Sequence, residues 1–277
     1  MSGGEGFYSA LEETMKTFIL SLVAVIAFVL PPLSTAAEDP VAKGLAIAKE
    51  ADRRDTGWGD QQADMQMILR NRRGQESRRA IRTRTLEVQG DGDKGLTIFD
   101  TPYDIKGTAF LSFTHAIRPD DQWLYLPALK RVKRIASSNK SGPFMGSEFA
   151  YEDLTSQEVA KYTYKWLRDK KLDGRDAFVI ERYPAYKYSG YTRQVVWVDK
   201  IIYQPLKIVY YDRKNVALKT LTFHDYKQYL NKYWRADRME MVNHQTGKST
   251  TLVWKNYRLK TGLTSRNFNR NSLKRVR

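Results

Sequence analysis

From Gln62 to Arg70 apolar and polar side chains alternate, with Met65, Met67 and Leu69 on one side and Gln66, Ile68 and Arg70 on the other. A period of two over this length predicts a strand with one buried face. Asn71-Arg72-Arg73-Gly74-Gln75 reads as a turn, and a second strand is predicted over about 76–88. There Ala80, Arg82, Arg84 and Leu86 share one face, and Ile81, Thr83, Thr85 and Glu87 the other. The same reasoning predicts strands at about 96–100, 109–114, 122–126, 131–135, 160–168, 177–182, 192–199, 206–211, 217–226, 234–243 and 249–257. Turn residues separate them at Gly174, Gly190, Gln204-Pro205, Asn215, Asn231 and Thr246-Gly247. So many sequential strands with short links imply an antiparallel meander rather than parallel βαβ units. Ahead of them, residues 39–54 carry a helical spacing: Asp39 as N-cap, Pro40 in the first turn, then Val41, Leu45 and Ala48. A sheet of this length must curl or close to dispose of its edges. A curved sheet with the helix on its concave face is the expected mainly β fold.

The N-terminus changes the picture of where this fold resides. Residues 18–29 are almost wholly apolar, preceded by Lys16 and followed by Pro31-Pro32 and the small residues Ser34, Thr35, Ala36 and Ala37. These are the parts of a secretory signal peptide, so residues 1–37 are expected to be removed, with Met15 the expected true start. A membrane-spanning helix would need about 20 apolar residues, more than this run supplies. The mature part, 38–277, is expected to be a single domain, soluble in the periplasm, with a mobile basic tail at 266–277. It contains no cysteine, hence no disulfide and no residue for N-terminal lipidation. Losing Lys16 and Glu5, Glu12 and Glu13 takes Lys+Arg from 47 to 46 and Asp+Glu from 31 to 28, so the net charge rises from +16 to +18. Such a surface favours anionic partners, and export favours membranes and acidic protein faces over nucleic acid.

Candidate chemistry is sparse. His115, His224 and His244 are far apart in the chain, and no HExxH, GxSxG or GxxxxGK occurs. Without cysteine, thiol catalysis and thiolate metal sites are excluded. The expectation is a protein that is not an enzyme and carries neither metal nor cofactor. Carboxylates that meet only in the fold leave an acid–base pair open.

The densest unusual stretch is 122–155, QWLYLPALKRVKRIASSNKSGPFMGSEFAYEDLT. It opens as a strand, breaks at Pro127, and continues as a basic ribbon of Lys130, Arg131, Lys133 and Arg134. A Ser/Gly/Pro loop follows, with Phe144, Met145 and Phe149. One reading makes the loop a lid at the mouth of an apolar cavity, with Gly142 and Gly146 allowing movement and the ribbon facing headgroups or an acidic partner. The other makes its aromatic residues a plug, with the basic residues paired to Glu148, Glu152 and Asp153.

This stretch, WLYLPALKRVKRI followed by SGPFMGSEFAYEDL, closely resembles the outer membrane lipoprotein-sorting protein family. Those proteins are similar to the LolA-type lipoprotein carriers, and some are associated with resistance-nodulation-division (RND) export pumps. The resemblance extends across about 39–257. It implies an unclosed antiparallel β-barrel, a half-barrel with helices covering the open concave side, and an apolar cavity for acyl chains. The family pattern falls on Tyr125, Leu126, Pro127, Arg131, Arg134, Gly142, Phe144, Gly146, Tyr151 and Asp153. Candidate acyl contacts are Met65, Met67, Leu69, Leu111, Phe113, Trp123, Tyr125, Phe144, Met145 and Phe149. Ordinary packing is the competing explanation for each. The expected function is a periplasmic carrier of lipoprotein or other lipid acyl chains, passed between an inner-membrane transporter and an outer-membrane acceptor. The alternative is an accessory module that docks an RND-type transporter through Lys130, Arg131, Lys133 and Arg134. An envelope enzyme is the third possibility.

Overall fold

The computed structural model describes residues 38–275; the expected signal peptide lies outside the described residues. Helix α1 (Pro40–Arg54) begins where Asp39 caps it, its carboxylate accepting from the backbone N–H of Val41 at 3.0 Å and of Ala42 at 3.3 Å. Thirteen strands follow: β1 (Asp60–Arg70), β2 (Glu76–Leu86), β3 (Lys94–Phe99), β4 (Ala109–Phe113), β5 (Asp121–Leu126), β6 (Arg131–Ile135), β7 (Tyr162–Leu172), β8 (Arg175–Pro184), β9 (Arg193–Asp199), β10 (Pro205–Tyr211), β11 (Ala217–Tyr229), β12 (Tyr233–Asn243) and β13 (Ser249–Leu259). They form one sheet in the order β6-β5-β4-β3-β2-β1-β13-β12-β11-β10-β9-β8-β7, antiparallel throughout. The sheet does not close on itself: β6 and β7 are its two edges. This is the unclosed half-barrel.

The topology has a direct consequence. Strands β1 to β6 walk from the centre of the sheet to one edge, and β7 to β13 walk from the other edge back to the centre. The link between them, residues 136–161, therefore joins opposite edges. It does so on the concave side, where Phe144, Phe149, Tyr151 and Leu154 join the main hydrophobic core. Short 3₁₀ turns at Ser137–Asn139, Phe144–Gly146, Tyr151–Leu154 and Val159–Lys161 give it local order.

Helix α1 covers the β7 end. Its buried residues are Gly44 and Ile47, one turn away from the expected Val41, which is 55% exposed. Gly44 permits the contact: a Cβ there would stand 2.7 Å from the Trp166 backbone nitrogen and 2.8 Å from the Lys165 carbonyl carbon. Cover of the concave side is thus shared between one helix at an edge and the crossing segment.

A second, smaller core lies on the opposite face of β3–β5. There Leu96, Ile98, Ala109, Leu111 and Trp123 are buried beneath Phe268 and Leu273 of the C-terminal segment. The tail expected to be mobile is packed: Phe268 is 3% exposed and Leu273 fully buried. Two apolar residues in a basic stretch suffice to strap it down. Among the described residues no helix is long and apolar enough to cross a membrane.

Candidate functional site

Strand alternation sets the concave wall. In β1 Met65, Met67 and Leu69 point inward, and Met65 pairs with Ile81 of β2, which pairs with Phe99 of β3. On the other side Met67 is opposite Leu252, and Leu252 is opposite Met239 of β12. Met241 stands beside it, opposite Leu221 of β11. Of the seven methionines, five lie among the described residues, and all five are in or against this core: Met65, Met67, Met145, Met239 and Met241. Unbranched thioethers fill irregular gaps and repack at low cost. The Met239-Glu240-Met241 alternation mirrors Met65-Gln66-Met67, and that repeated M-x-M was the sequence signal for this half of the wall.

The crossing segment fills the centre. Phe144 is 1% exposed and Phe149 3%. The Phe144 ring lies 5.9 Å from that of Phe99, 5.2 Å from Phe110 and 5.4 Å, edge-on, from Tyr151. The turn that carries it is tight: the Phe144 N–H donates to the Phe149 carbonyl at 2.7 Å, and the Ser147 hydroxyl to the Phe144 carbonyl at 2.7 Å. Met145 and Gly146 sit consecutively in left-handed backbone, with φ of +50° and +76°. Glycine does this freely, whereas methionine there costs about 1 kcal/mol or more.

Polar side chains from distant strands hold the segment. Arg79 of β2 donates to the Met145 carbonyl at 2.6 Å. Lys219 of β11, 4% exposed, donates to the Asp153 carboxylate at 2.7 Å and to the Glu148 carbonyl at 2.8 Å. Asp153 also accepts from the Tyr191 hydroxyl at 2.8 Å and the Ala150 N–H at 2.7 Å. The Glu148 carboxylate takes the Asn243 amide at 2.6 Å, and its N–H donates to the Thr250 hydroxyl at 3.0 Å. Glu152 is buried and accepts from Tyr186, Ser189 and the Gly190 N–H at 2.8–3.0 Å; burial pushes its carboxyl above the ordinary range. Asn243 and the charged groups Lys219 and Arg79 escaped sequence reasoning. Each is an inward-facing polar residue in an otherwise alternating strand, and that misplaced polarity was the available signal.

The ten candidate acyl contacts divide. Met65, Met67, Leu69, Phe144, Met145 and Phe149 come together on the concave side. Leu111, Phe113, Trp123 and Tyr125 do not: they belong to the outer core under the C-terminal segment. The register explains it, because Leu111 is opposite Trp123, one step out of phase with the inward pair Phe110 and Leu124. The Glu148, Glu152 and Asp153 carboxylates are engaged by Asn243, by Tyr186 with Ser189, and by Lys219 with Tyr191, instead of by the basic ribbon. Within the ribbon Arg134 pairs with Asp121 at 2.5 Å, and Lys130, Arg131 and Lys133 are exposed on the edge strand and its approach. Among the described residues no group of three or more His, Asp or Glu is placed to hold a metal ion.

A family model described only as that of an uncharacterized protein matches residues 91–275. A Vibrio parahaemolyticus structure described as a "putative outer membrane lipoprotein-sorting protein domain" is 62% identical, covering 84% of this chain and 99% of that one, with a TM-score of 0.83. A DUF1329 family protein from Desulfovibrio piger is 32% identical over 85% of this chain and 99% of its own, with a TM-score of 0.80. The chain belongs to the outer membrane lipoprotein-sorting protein (DUF1329) family. A LolA superfamily protein from Nitrosomonas europaea, 18% identical over 82% of this chain and 98% of its own, shares the fold with a TM-score of 0.67. No curated protein matches. Within this family fold, the chain's own segment 142–154 fills the concave side, with Phe144, Phe149, Tyr151 and Leu154 in the main core.

Proposed function

We propose that this protein is a soluble periplasmic carrier that takes up acyl chains of lipoproteins or other lipids on its concave face. Segment 142–154 swings out to admit them. The observation that carries this reading is the seating of Phe144 and Phe149 on a methionine-rich wall, by a segment that polar side chains from distant strands also hold. Family membership supports it, since a close relative is described as a lipoprotein-sorting domain. Energetically the exchange is feasible. An acyl chain of about a dozen methylenes gains roughly 10 kcal/mol on burial, of the same order as undoing a buried ion pair, about 3–5 kcal/mol, and unburying Phe144 and Phe149, about 1.5–3 kcal/mol each. The Trp254 indole N–H, on the strand opposite Met65, is buried with no acceptor among the described residues. It is available to an ester or amide carbonyl of the guest.

The second reading is an accessory module that docks an RND-type transporter or another envelope partner. It draws support from Lys130, Arg131 and Lys133, exposed at the β6 edge and without acidic partners among the described residues.

Native mass spectrometry of protein purified from the periplasm, with extraction and identification of bound lipid, separates these readings. Hydrogen exchange with and without an added fatty acid localises the change. The carrier reading expects one acylated species per chain and loss of protection over 142–154, with the Phe144 amide exposed and the sheet unchanged. A ligand-free mass together with no fatty-acid uptake would sink it in favour of the docking module.

A further inference from the structure

The outer face of the central strands carries a feature that neither acyl binding nor the plug uses. Arg84 of β2, Gln62 of β1 and Arg258 of β13 stand in one cross-strand row. Neighbouring strands are about 4.8 Å apart, so the two arginine backbones stand about 10 Å from each other on either side of Gln62, and both side chains can reach an object held above it. Like charges directly opposite each other destabilise a sheet; here the neutral Gln62 stands between the two arginines. The next row is balanced: Arg82 is clamped bidentately by Asp100 at 2.7 and 2.8 Å, and Asp64 accepts from the Asn256 amide at 2.7 Å. The Arg84 and Arg258 guanidinium groups meet no acid among the described residues.

A β-bulge shapes the place. The register of β1 against β13 slips between Gln62 and Asp64, and Asn256 takes φ of +55°. The extra residue bends β13 and opens a notch of about 60 Å³, lined by Gln62, Asp64, Arg82, Arg84, Asn256 and Arg258. That volume suits one compact anion and excludes an acyl chain. Asp64 contributes one negative charge to the lining, against the Arg84 and Arg258 guanidinium groups, Arg82 being neutralised by Asp100.

We propose that this notch binds a phosphate group, held between the Arg84 and Arg258 guanidinium forks over Gln62. Planar forks match phosphate oxygens two at a time, which lysine cannot do. The phosphate belongs either to an anionic phospholipid headgroup at a bilayer surface or to a free phosphate. In the first case the convex face rests on the membrane while the concave face remains open to its guest.

The test is co-sedimentation of the mature protein with phosphatidylglycerol vesicles and with phosphatidylcholine vesicles, and calorimetric titration with inorganic phosphate. The variants are R84Q/R258Q and, as a charge-matched control, K170Q/K187Q, two exposed lysines far from the notch in the sheet order. The lipid-headgroup arm expects R84Q/R258Q to lose at least tenfold in phosphatidylglycerol retention while the control stays within about twofold of the parent. The free-phosphate arm expects saturable phosphate binding by the parent that R84Q/R258Q abolishes. If R84Q/R258Q matches the control on vesicles and the parent binds no phosphate, the notch is not a phosphate site. Acyl uptake is read separately, so either proposal can fail alone.

Discussion

Lys219 is the residue on which most of the plug converges, since it touches both Asp153 and the Glu148 carbonyl from inside the sheet. Replacing it by methionine leaves the Asp153 carboxylate buried without its cation, with only the Tyr191 hydroxyl and Ala150 N–H to hold it. The expected cost of Lys219→Met is about 3 kcal/mol or more, measured by urea unfolding. Protection in hydrogen exchange should fall most over 142–154. Asp93 offers a pH test. Burial first, then the Glu158, Glu87 and Asp55 carboxylates nearby, raises it to about 7 from 3.8. Between these values the unfolded chain has lost the proton that the folded one retains, so Asp93 withdraws stability as pH rises from about 4 to about 7. Asp93→Asn removes that titration while leaving an acceptor for the Val88 N–H. Its stability relative to the parent should improve by about 1–3 kcal/mol between pH 4 and pH 8 in thermal or urea melts. A flat difference would mean that Asp93 ionises normally.

At the scale of elements, all thirteen strands and the helix were legible, because alternation and turn residues are local signals that this chain carries almost everywhere. Which face of a strand turns inward was legible only where one face is polar. Met65-Gln66-Met67 declares its side; Ala109-Phe110-Leu111-Ser112-Phe113 does not, being apolar on both. Its outward residues need a cover that lies far along the chain in Phe268 and Leu273, and no local pattern links them. The same holds for the plug. Phe144 and Phe149 were visible as a cluster, but the partners that fix them, Arg79, Lys219 and Asn243, are brought in by pairings 66 to 95 residues distant. The C-terminal strap makes a prediction of its own. Phe268→Ala should destabilise by about 3 kcal/mol and increase binding of a hydrophobic dye, since Leu96, Leu111 and Trp123 lose their lid. If stability and dye binding are unchanged, the strap does not seal that face.

Across the whole molecule, one sheet serves two surfaces with different contents. Inside lie methionine, phenylalanine and a segment held by charges; outside lie arginine rows over the centre and an apolar patch under a strap. The strongest constraint on how this arrangement comes into being is the seam at its middle. Strand β1 begins at Asp60 and its neighbour β13 ends at Leu259, so the central pairing joins the first strand made to the last. Contacts of such separation form slowly, and nothing nearer in the chain can substitute for them. Until β13 has been delivered, β1 and β12 each have a bare side, and the two meanders are halves without a hinge. A chain emerging start-first from any narrow passage therefore waits, open and unsealed, for its final tenth. Throughout that interval it depends on a holding partner, or on its own like charges, to keep those bare strands from pairing with a stranger.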